Sequence, residues 1–324
     1  HEYTKEHYSN LVTSFEYVDM IRNIDFKSDL RAIIKIRKLI KKYNPDIIYM
    51  HSSKAGAIGR IANIGIKNKS IYNPHGWAFN MACSNKKKLV YRYIEKILAL
   101  FVDEIIAISD FEKESAIQNK VCSPKKIKVI YNGIDIEDYK NKSNKYEITR
   151  RKVGIPEDAY VIGMVGRISE QKAPDTFVQV AAKVKDIIPE AFFIIVGDGD
   201  ERKKIEKLID DLDLKRSFMI TGWVEETMEY IELFDQAMLL SRWEGFGLVL
   251  AEYMVAEKPI IATNIDAIPN LIDDNVNGIL IDVDQVEQAV KAIKELYENK
   301  EECQRMVTNS KNKVERDFDI RRVA

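Results

Sequence analysis

Cysteine is scarce in this chain: Cys83, Cys122 and Cys303 are the 3 in 324 residues. They are odd in number, widely separated and outside any metal-type spacing, which argues against a disulfide framework and a cysteine-held zinc. A reducing, cytoplasmic setting is the expectation. Long apolar runs are missing too. The nearest, residues 97–108, is broken by Asp103 and Glu104 and is shorter than the roughly 20 residues a spanning helix needs, so no transmembrane segment is expected. No signal-peptide pattern opens the chain. Its first ten residues, HEYTKEHYSN, are polar, and the alternating stretch after them reads as an entry in mid-domain. The last residues, DFDIRRVA, follow a charged helical stretch with no closing element. Internal repeats and low-complexity tracts are absent.

What is present is enough apolar sequence, 46% of 324 residues, to bury two cores. Net charge is only −1, but its distribution is uneven. Residues 1–140 hold 24 Lys and Arg against 16 Asp and Glu, an excess of +8, and the remainder is net acidic. Within the first part, residues 22–102 carry 17 basic and 4 acidic side chains. An anionic partner for the first part is expected, either an anionic membrane surface or an acceptor phosphate. The lysine cluster Lys86, Lys87 and Lys88 is the first segment to suspect. An ordinary solvated lysine-rich surface is the alternative, since helices such as DLRAIIKIRKLIKK also show core-type apolar spacing.

Short β-branched or aliphatic runs alternate with longer amphipathic segments, the pattern of parallel strands joined by helices. This predicts an α/β protein of two Rossmann-like doubly wound domains facing a central cleft. The first has strands at DIIYMHS, SIYNPHG, EIIAIS and KIKVIYNG. The second has strands at YVIGMVGR, AFFIIVGDG, SFMITGWV, QAMLLS and PIIATN, with an unsettled stretch through Ile279 and a helical region from Gln285. The polar segment IDIEDYKNKSNKYE between them is rich in turn formers, which places the boundary near 140: residues 1–140 and 141–324. Ligands of such sheets lie beyond the carboxyl ends of the strands, so the residues just after each strand carry the information.

The strongest motif is SRWEGFGLVLAEYMVA, in which a strand ends, a loop with Gly245 and Gly247 turns and a helix opens. Bare glycines let a ligand approach the backbone, and the first helical turn offers free amides to an anion such as phosphate. Glu244 and Glu252 would repel phosphate, so they are better assigned to sugar hydroxyls. The alternative for Glu252 is a solvated helix glutamate. In MVGRISEQK, Gly166 and Arg167 follow an apolar strand and Lys172 comes just before a helix start. Two cations on one loop can neutralise a diphosphate and stabilise it as it leaves; two ordinary surface cations are the alternative. VGDGDE holds Gly197 in an incomplete dinucleotide pattern, because Arg202 stands where the third glycine belongs. A tight turn explains it equally well. TGWV, ending at Val224, is placed to give backbone contacts to a nucleobase.

In the first domain, NPHGWAFN sets His75 after a strand and among Trp77 and Phe79, where an imidazole can meet a sugar hydroxyl or phosphate. A histidine holding its own loop is the alternative. MHSSKAGAIGR has the same layout, with Ser52 or Ser53 as a helix cap and Lys54 beside the first turn, suited to an acceptor phosphate.

GRISEQK, VGDGDE, EGFGLVLAE and the NGID element at 132–135 together resemble glycosyltransferase family 4, over nearly the whole chain. The resemblance implies a GT-B fold and a retaining transferase moving a sugar from a nucleotide diphosphate sugar to an acceptor hydroxyl. It assigns the donor diphosphate to Arg167 and Lys172 and the ribose to Glu252. The donor sugar and phosphate fall to Glu244 with the backbone of Gly245, Phe246, Gly247 and Leu248. His75 takes the position of the family's acceptor-side histidine, and Ser53 and Lys54 lie on the same side. His75, Glu244, Arg167 and Lys172 are thus the residues expected to act in catalysis. Family members begin with a strand and a glycine-rich loop, and nothing in residues 1–20 matches these.

HSSKAG and NPHGW look like elements of bacterial capsule, exopolysaccharide and glycan-assembly transferases acting on polyprenyl-diphosphate-linked sugars. The implied donor is a UDP sugar and the implied acceptor a lipid-linked or free glycan. No metal, other cofactor or nucleic acid is required. The implied location is the cytoplasm, peripheral on the inner face of the cell membrane. A GT-B nucleotide-sugar epimerase and a non-catalytic nucleotide-binding module share these features and stay open as alternatives. An NAD-dependent dehydrogenase is weighed against by the incomplete glycine pattern.

Overall fold

The computed structural model describes residue 8 and residues 11–21, 24–81, 83–143 and 145–323. The reading of the first ten residues, and the Arg22 that opens the basic block, fall mostly on positions outside the described residues. In chain order the elements are α1 (Phe26–Tyr43), β1 (Ile47–His51), α2 (Ser53–Asn63), β2 (Lys69–Asn73), α3 (Asn85–Leu98), β3 (Glu104–Ala107), α4 (Asp110–Gln118), β4 (Ile127–Val129) and α5 (Ile136–Ser143). They continue with β5 (Tyr160–Val165), α6 (Pro174–Lys185), β6 (Ala191–Val196), α7 (Arg202–Asp211), β7 (Phe218–Ile220), α8 (Thr227–Ile231), β8 (Gln236–Leu239) and α9 (Leu248–Val255). The last are β9 (Ile260–Thr263), α10 (Ile268–Leu271), β10 (Ile279–Ile281), α11 (Val286–Glu298), α12 (Lys300–Asp317) and α13 (Ile320–Val323). No helix among the described residues is long and apolar enough to cross a membrane.

The chain forms two compact units. One is built from the chain up to Phe79 with Ser84–Ile106 and Ala116–Lys128; the other takes Asn80–Cys83, Ala107–Ser115 and everything from Val129 onward. The boundary segment is not the irregular linker its composition suggests. Helix α5 runs across residue 140, and the Asp135 carboxylate accepts the Asp138 N–H at 2.9 Å ahead of its first turn. A short side chain that can satisfy an orphan amide starts a helix even where aliphatics are few.

The first sheet has the order β1-β2-β3-β4, with parallel register His51↔Asn73 at the carboxyl ends of β1 and β2. The second has the order β10-β9-β8-β5-β6-β7, and every recorded pair is parallel. Its central strands YVIGMV and AFFIIV are near-continuous apolar runs because helices cover both faces. All six residues of β6 are buried. The stretch left unsettled by its sequence resolves into α10 and β10. Strand β5 enters the sheet in the middle: from it the chain winds outward through β6 and β7, then returns to its other side through β8, β9 and β10. Between β5 and β8 the winding direction reverses, and the crevice beyond the carboxyl ends of those two strands is where such a sheet receives a ligand.

Candidate donor-binding site

The two strongest motifs sit on the loops that leave β5 and β8. The strands are paired at Ile162↔Gln236 and Gly163↔Ala237. Further along, the fully buried Tyr253 hydroxyl accepts the Val165 N–H at 2.8 Å. Tyr253 belongs to α9, so the helix is tied to the end of β5 by its own buried face. Gly247, at φ +83°, caps the N-terminus of α9 in the left-handed region. A side chain there would be strained and would also press on Leu250, Glu244 and Leu239. The first turn of α9 therefore opens at the switch point, where a helix's leading amides are free for an anion, although the Leu250 N–H is already given to the Gly247 carbonyl at 2.8 Å.

Lys172 and Glu244, 72 residues apart, meet there: Nζ donates to Oε2 at 2.5 Å, with the two side chains 17% and 11% exposed. The same Oε2 accepts the Ser241 hydroxyl at 3.1 Å, and the Glu244 N–H donates to Asp266 at 2.9 Å. The stem of Lys172 packs over Gly166. Glu252, on α9, is mostly buried. Desolvation first, and then the charge of Glu226, push its carboxyl up to about 7, with Lys172 and the Thr227 hydroxyl opposing. Lys172, Glu244 and Glu252 are thus brought together. Arg167 stands exposed just beyond β5, and its guanidinium has no hydrogen-bond or ion-pair partner among the described residues. A cation on that loop with nothing to neutralise it is available to an anion.

Arg242, unremarked in the sequence, clamps the two loops. Its Nε donates to both carboxylate oxygens of Asp284 at 3.0 Å, Nη2 reaches Asp175 at 2.9 Å, and Nη1 donates to the Glu170 carbonyl at 3.0 Å. Beside it, the Arg242 N–H donates to the Gln171 carbonyl, and the Gln171 amide donates to the Trp243 carbonyl. The segment carrying Lys172 is therefore fixed against the segment carrying Glu244. Arg242→Ala is expected to lower unfolding free energy by about 2 kcal/mol or more, as loss of several charge-assisted bonds does. Unchanged denaturation midpoints would remove Arg242 from this role.

Other expected residues have different surroundings. Phe246, expected on the ligand side, is 2% exposed and packs on Tyr131 and Phe318, which places it in the core. Val224 is partly buried against the same core. Gly197 and Gly199 owe their identity to backbone approach: a side-chain carbon would lie 2.1 Å from the Gly166 carbonyl oxygen at one and 2.2 Å from that of Ile168 at the other. Paired amides confirm the contact, Gly166 to Val196 and Ile168 to Asp198, both at 3.0 Å.

In the first unit, His75 lies just beyond β2 at φ +51°, exposed, with its N–H held by the Asn73 side chain at 3.0 Å. Trp77 and Phe79, which follow it in the sequence, are a buried stacked pair. The partner that sequence missed is His51, the last residue of β1. Its Nδ1 is 2.7 Å from His75 Nε2, one ring donating and the other accepting. Desolvation and then His51 hold His75 below the ordinary imidazole value. Two histidines ending neighbouring parallel strands were the available signal. Ser52 occupies the N-cap of α2 but makes no side-chain cap bond, which corrects the expected capping role: at φ +69° and ψ 156° its backbone departs from ordinary cap geometry. Ser53 bonds the Tyr72 hydroxyl. Lys54 is ion-paired with Asp29 at 2.6 Å, both partly buried, so an acceptor phosphate there would compete with a carboxylate. Among the described residues no three His, Cys, Asp or Glu side chains are placed to hold a metal ion.

Comparison with known proteins identifies the family and the fold. UDP-Gal:alpha-D-GlcNAc-diphosphoundecaprenol alpha-1,3-galactosyltransferase of Escherichia coli is 30% identical over 313 residues, covering 95% of this chain and 81% of that protein. An uncharacterized protein of the cps region of Klebsiella pneumoniae is 35% identical over 308 residues, covering 89% and 80%. Among solved structures, Anabaena HepE in complex with UDP-glucose superposes with a TM-score of 0.80 at 23% identity, covering 90% of this chain and 79% of that one, a likeness of GT-B fold. The family model for glycosyltransferase family 4 matches residues 1–138 and that for glycosyl transferases group 1 matches residues 145–313. The chain belongs to this family and is a glycosyltransferase.

Proposed function

We propose that the chain transfers a sugar, with retention of configuration, from a UDP sugar to a polyprenyl-diphosphate-linked glycan at an anionic membrane surface. Residues 141–324 hold the donor in this reading, and residues 1–140 meet the acceptor. The observation that carries it is the meeting of Lys172, Glu244, Glu252 and the open turn of α9 at the reversal between β5 and β8. The relative named for a UDP-galactose donor and a diphosphoundecaprenol acceptor supports the donor and acceptor class. The basic excess in residues 22–102 supports the anionic surface.

In the reaction, the acceptor oxygen bonds to the anomeric carbon as the bond from that carbon to the β-phosphate oxygen breaks. The electron pair leaves with the diphosphate, whose oxygen takes the acceptor's proton on the same face. Lys172 has three donors. It can keep Glu244 and still reach a phosphate oxygen. Arg167 and the α9 amides meet the rest of the developing charge, as preorganised donors do. Glu252 receives the ribose hydroxyls and Glu244 the sugar. No metal ion is assigned a step.

Titration with UDP, GDP and ADP is the test. UDP should bind tightest, and Arg167→Ala should weaken it by about 1.5–3 kcal/mol, the range of a charge-assisted hydrogen bond. Equal affinity in wild type and variant sinks the diphosphate assignment. Product analysis with and without acceptor separates transfer from epimerisation.

A further inference from the structure

Helix α3 and the turn after it have two faces that a single core does not explain. The inward face carries Glu95, Leu98, Ala99 and Val102, all buried. Glu95 is its only carboxylate and is spent inside: it takes the fully buried Arg60 guanidinium at 2.8 Å and the Tyr72 hydroxyl at 3.0 Å. Arg60 also bonds the Gly56 carbonyl and lies 3.9 Å from the centre of the Tyr72 ring. A buried ion pair gains its energy only at one geometry, so it fixes the rotation of α3 about its axis.

At that setting the opposite face is apolar and in water. Leu89, Val90, Tyr93, Ile97, Leu100 and Phe101 are 45%, 52%, 53%, 56%, 75% and 41% exposed. At about 100° per residue they fall within one stripe. Lys86 lies at its N-terminal end and Lys87, Arg92 and Lys96 border it, while Lys88 falls two turns before Glu95, toward the inward face. None of the five forms an ion pair with a described residue.

We infer that this stripe lies in the plane of an anionic lipid surface, with the leucines, isoleucine and aromatics in the acyl boundary and the cations among the headgroups. Cation complementarity selects lipid over other occupants. An isologous contact between two copies would set four cations against four, and protein interface cores are depleted in lysine. The inference deepens the membrane-surface reading given above and rests on it. Donor binding and sugar transfer do not depend on it.

Co-sedimentation with vesicles tests it, using phosphatidylcholine alone and mixed equally with phosphatidylglycerol. Wild-type protein should bind the mixed vesicles at low salt, release in part as salt rises, and bind neutral vesicles poorly. Ile97→Ser with Leu100→Ser should weaken binding about tenfold or more at every salt concentration. Both side chains already face water, so the thermal midpoint and turnover on a water-soluble acceptor should not move. Lys86→Gln, Lys87→Gln and Lys88→Gln together should lose binding chiefly at low salt. Equal binding by the serine variant overturns the stripe as the docking face. A concentration-dependent dimer lost in that variant assigns the face to a second copy instead. No vesicle binding by wild type overturns the membrane reading itself, while intact transfer to the soluble acceptor would leave the enzymatic reading standing.

Discussion

Lys172→Ala is expected to lower turnover by about a hundred- to a thousand-fold, the usual loss when one preorganised donor to a developing negative charge is removed. Two effects combine. The leaving diphosphate loses a cation, and Glu244, only 11% exposed, loses the ammonium that neutralises it at 2.5 Å. The remaining carboxylate then repels the donor. Glu244→Gln in the Lys172→Ala background should therefore recover part of the lost donor affinity, whereas Glu244→Gln alone should chiefly slow transfer. Calorimetry for UDP and initial rates for all three variants complete the cycle. Additive losses, with no coupling between the positions, would mean that the pair seen here is not maintained when the donor is bound.

Glu252→Gln should stabilise the protein at pH 8 and not at pH 4. The folded-state carboxyl titrates at about 7, against an ordinary value of 4.5. A raised acid pKa means that the folded state resists ionisation. The cost is absent below 4.5, grows as pH rises from 4.5 to 7, and is constant above. Removing the ionisable group relieves it, by about 2–3 kcal/mol at most, given 1.36 kcal/mol per unit and partial solvent access. The same pH window governs ligand binding. An ionised Glu252 accepts both ribose hydroxyls, so UDP affinity of the wild type should rise through pH 7 and that of the glutamine variant should stay low and flat. Thermal midpoints at pH 4 and 8 with UDP titrations at pH 6 and 8 check both parts. A glutamine variant no more stable than wild type at pH 8 contradicts the buried-acid account.

Sequence carried the α/β architecture because its strands are apolar runs set between amphipathic helices, and it singled out Arg167, Lys172, Gly247 and Glu252 because they lie on the segments that follow β5 and β8. It could not carry partnerships across 72 residues. Lys172 was read with the diphosphate and Glu244 with the sugar, and nothing local says that they touch. Arg242 was invisible for the same reason: its partners Asp175 and Asp284 come from distant segments. Phe246 stands between two glycines of the loop before α9 yet lies in the core against Tyr131 and Phe318, a contact that nothing local announces. His51 escaped notice as the polar last residue of an apolar strand, and only the β1–β2 pairing brings His75 beside it. Helix α5 was masked by polar composition, since its start depends on one carboxylate rather than on an apolar face.

The close seating of Gly197 and Gly199 on the Gly166–Ile168 backbone has a consequence for mutational scanning. In a library screened only for nucleotide capture or polysaccharide output, both glycines would score among the most intolerant positions, alongside Lys172 and Glu252. A map drawn from such scores would place them in the ligand shell. Their intolerance has another origin, because a Cβ 2.1 Å or 2.2 Å from a carbonyl oxygen forces apart the loops that leave β5 and β6. A parallel screen for soluble yield should separate the two groups: alanine at 197 or 199 depletes folded protein, and alanine at 172 leaves it in place and silent.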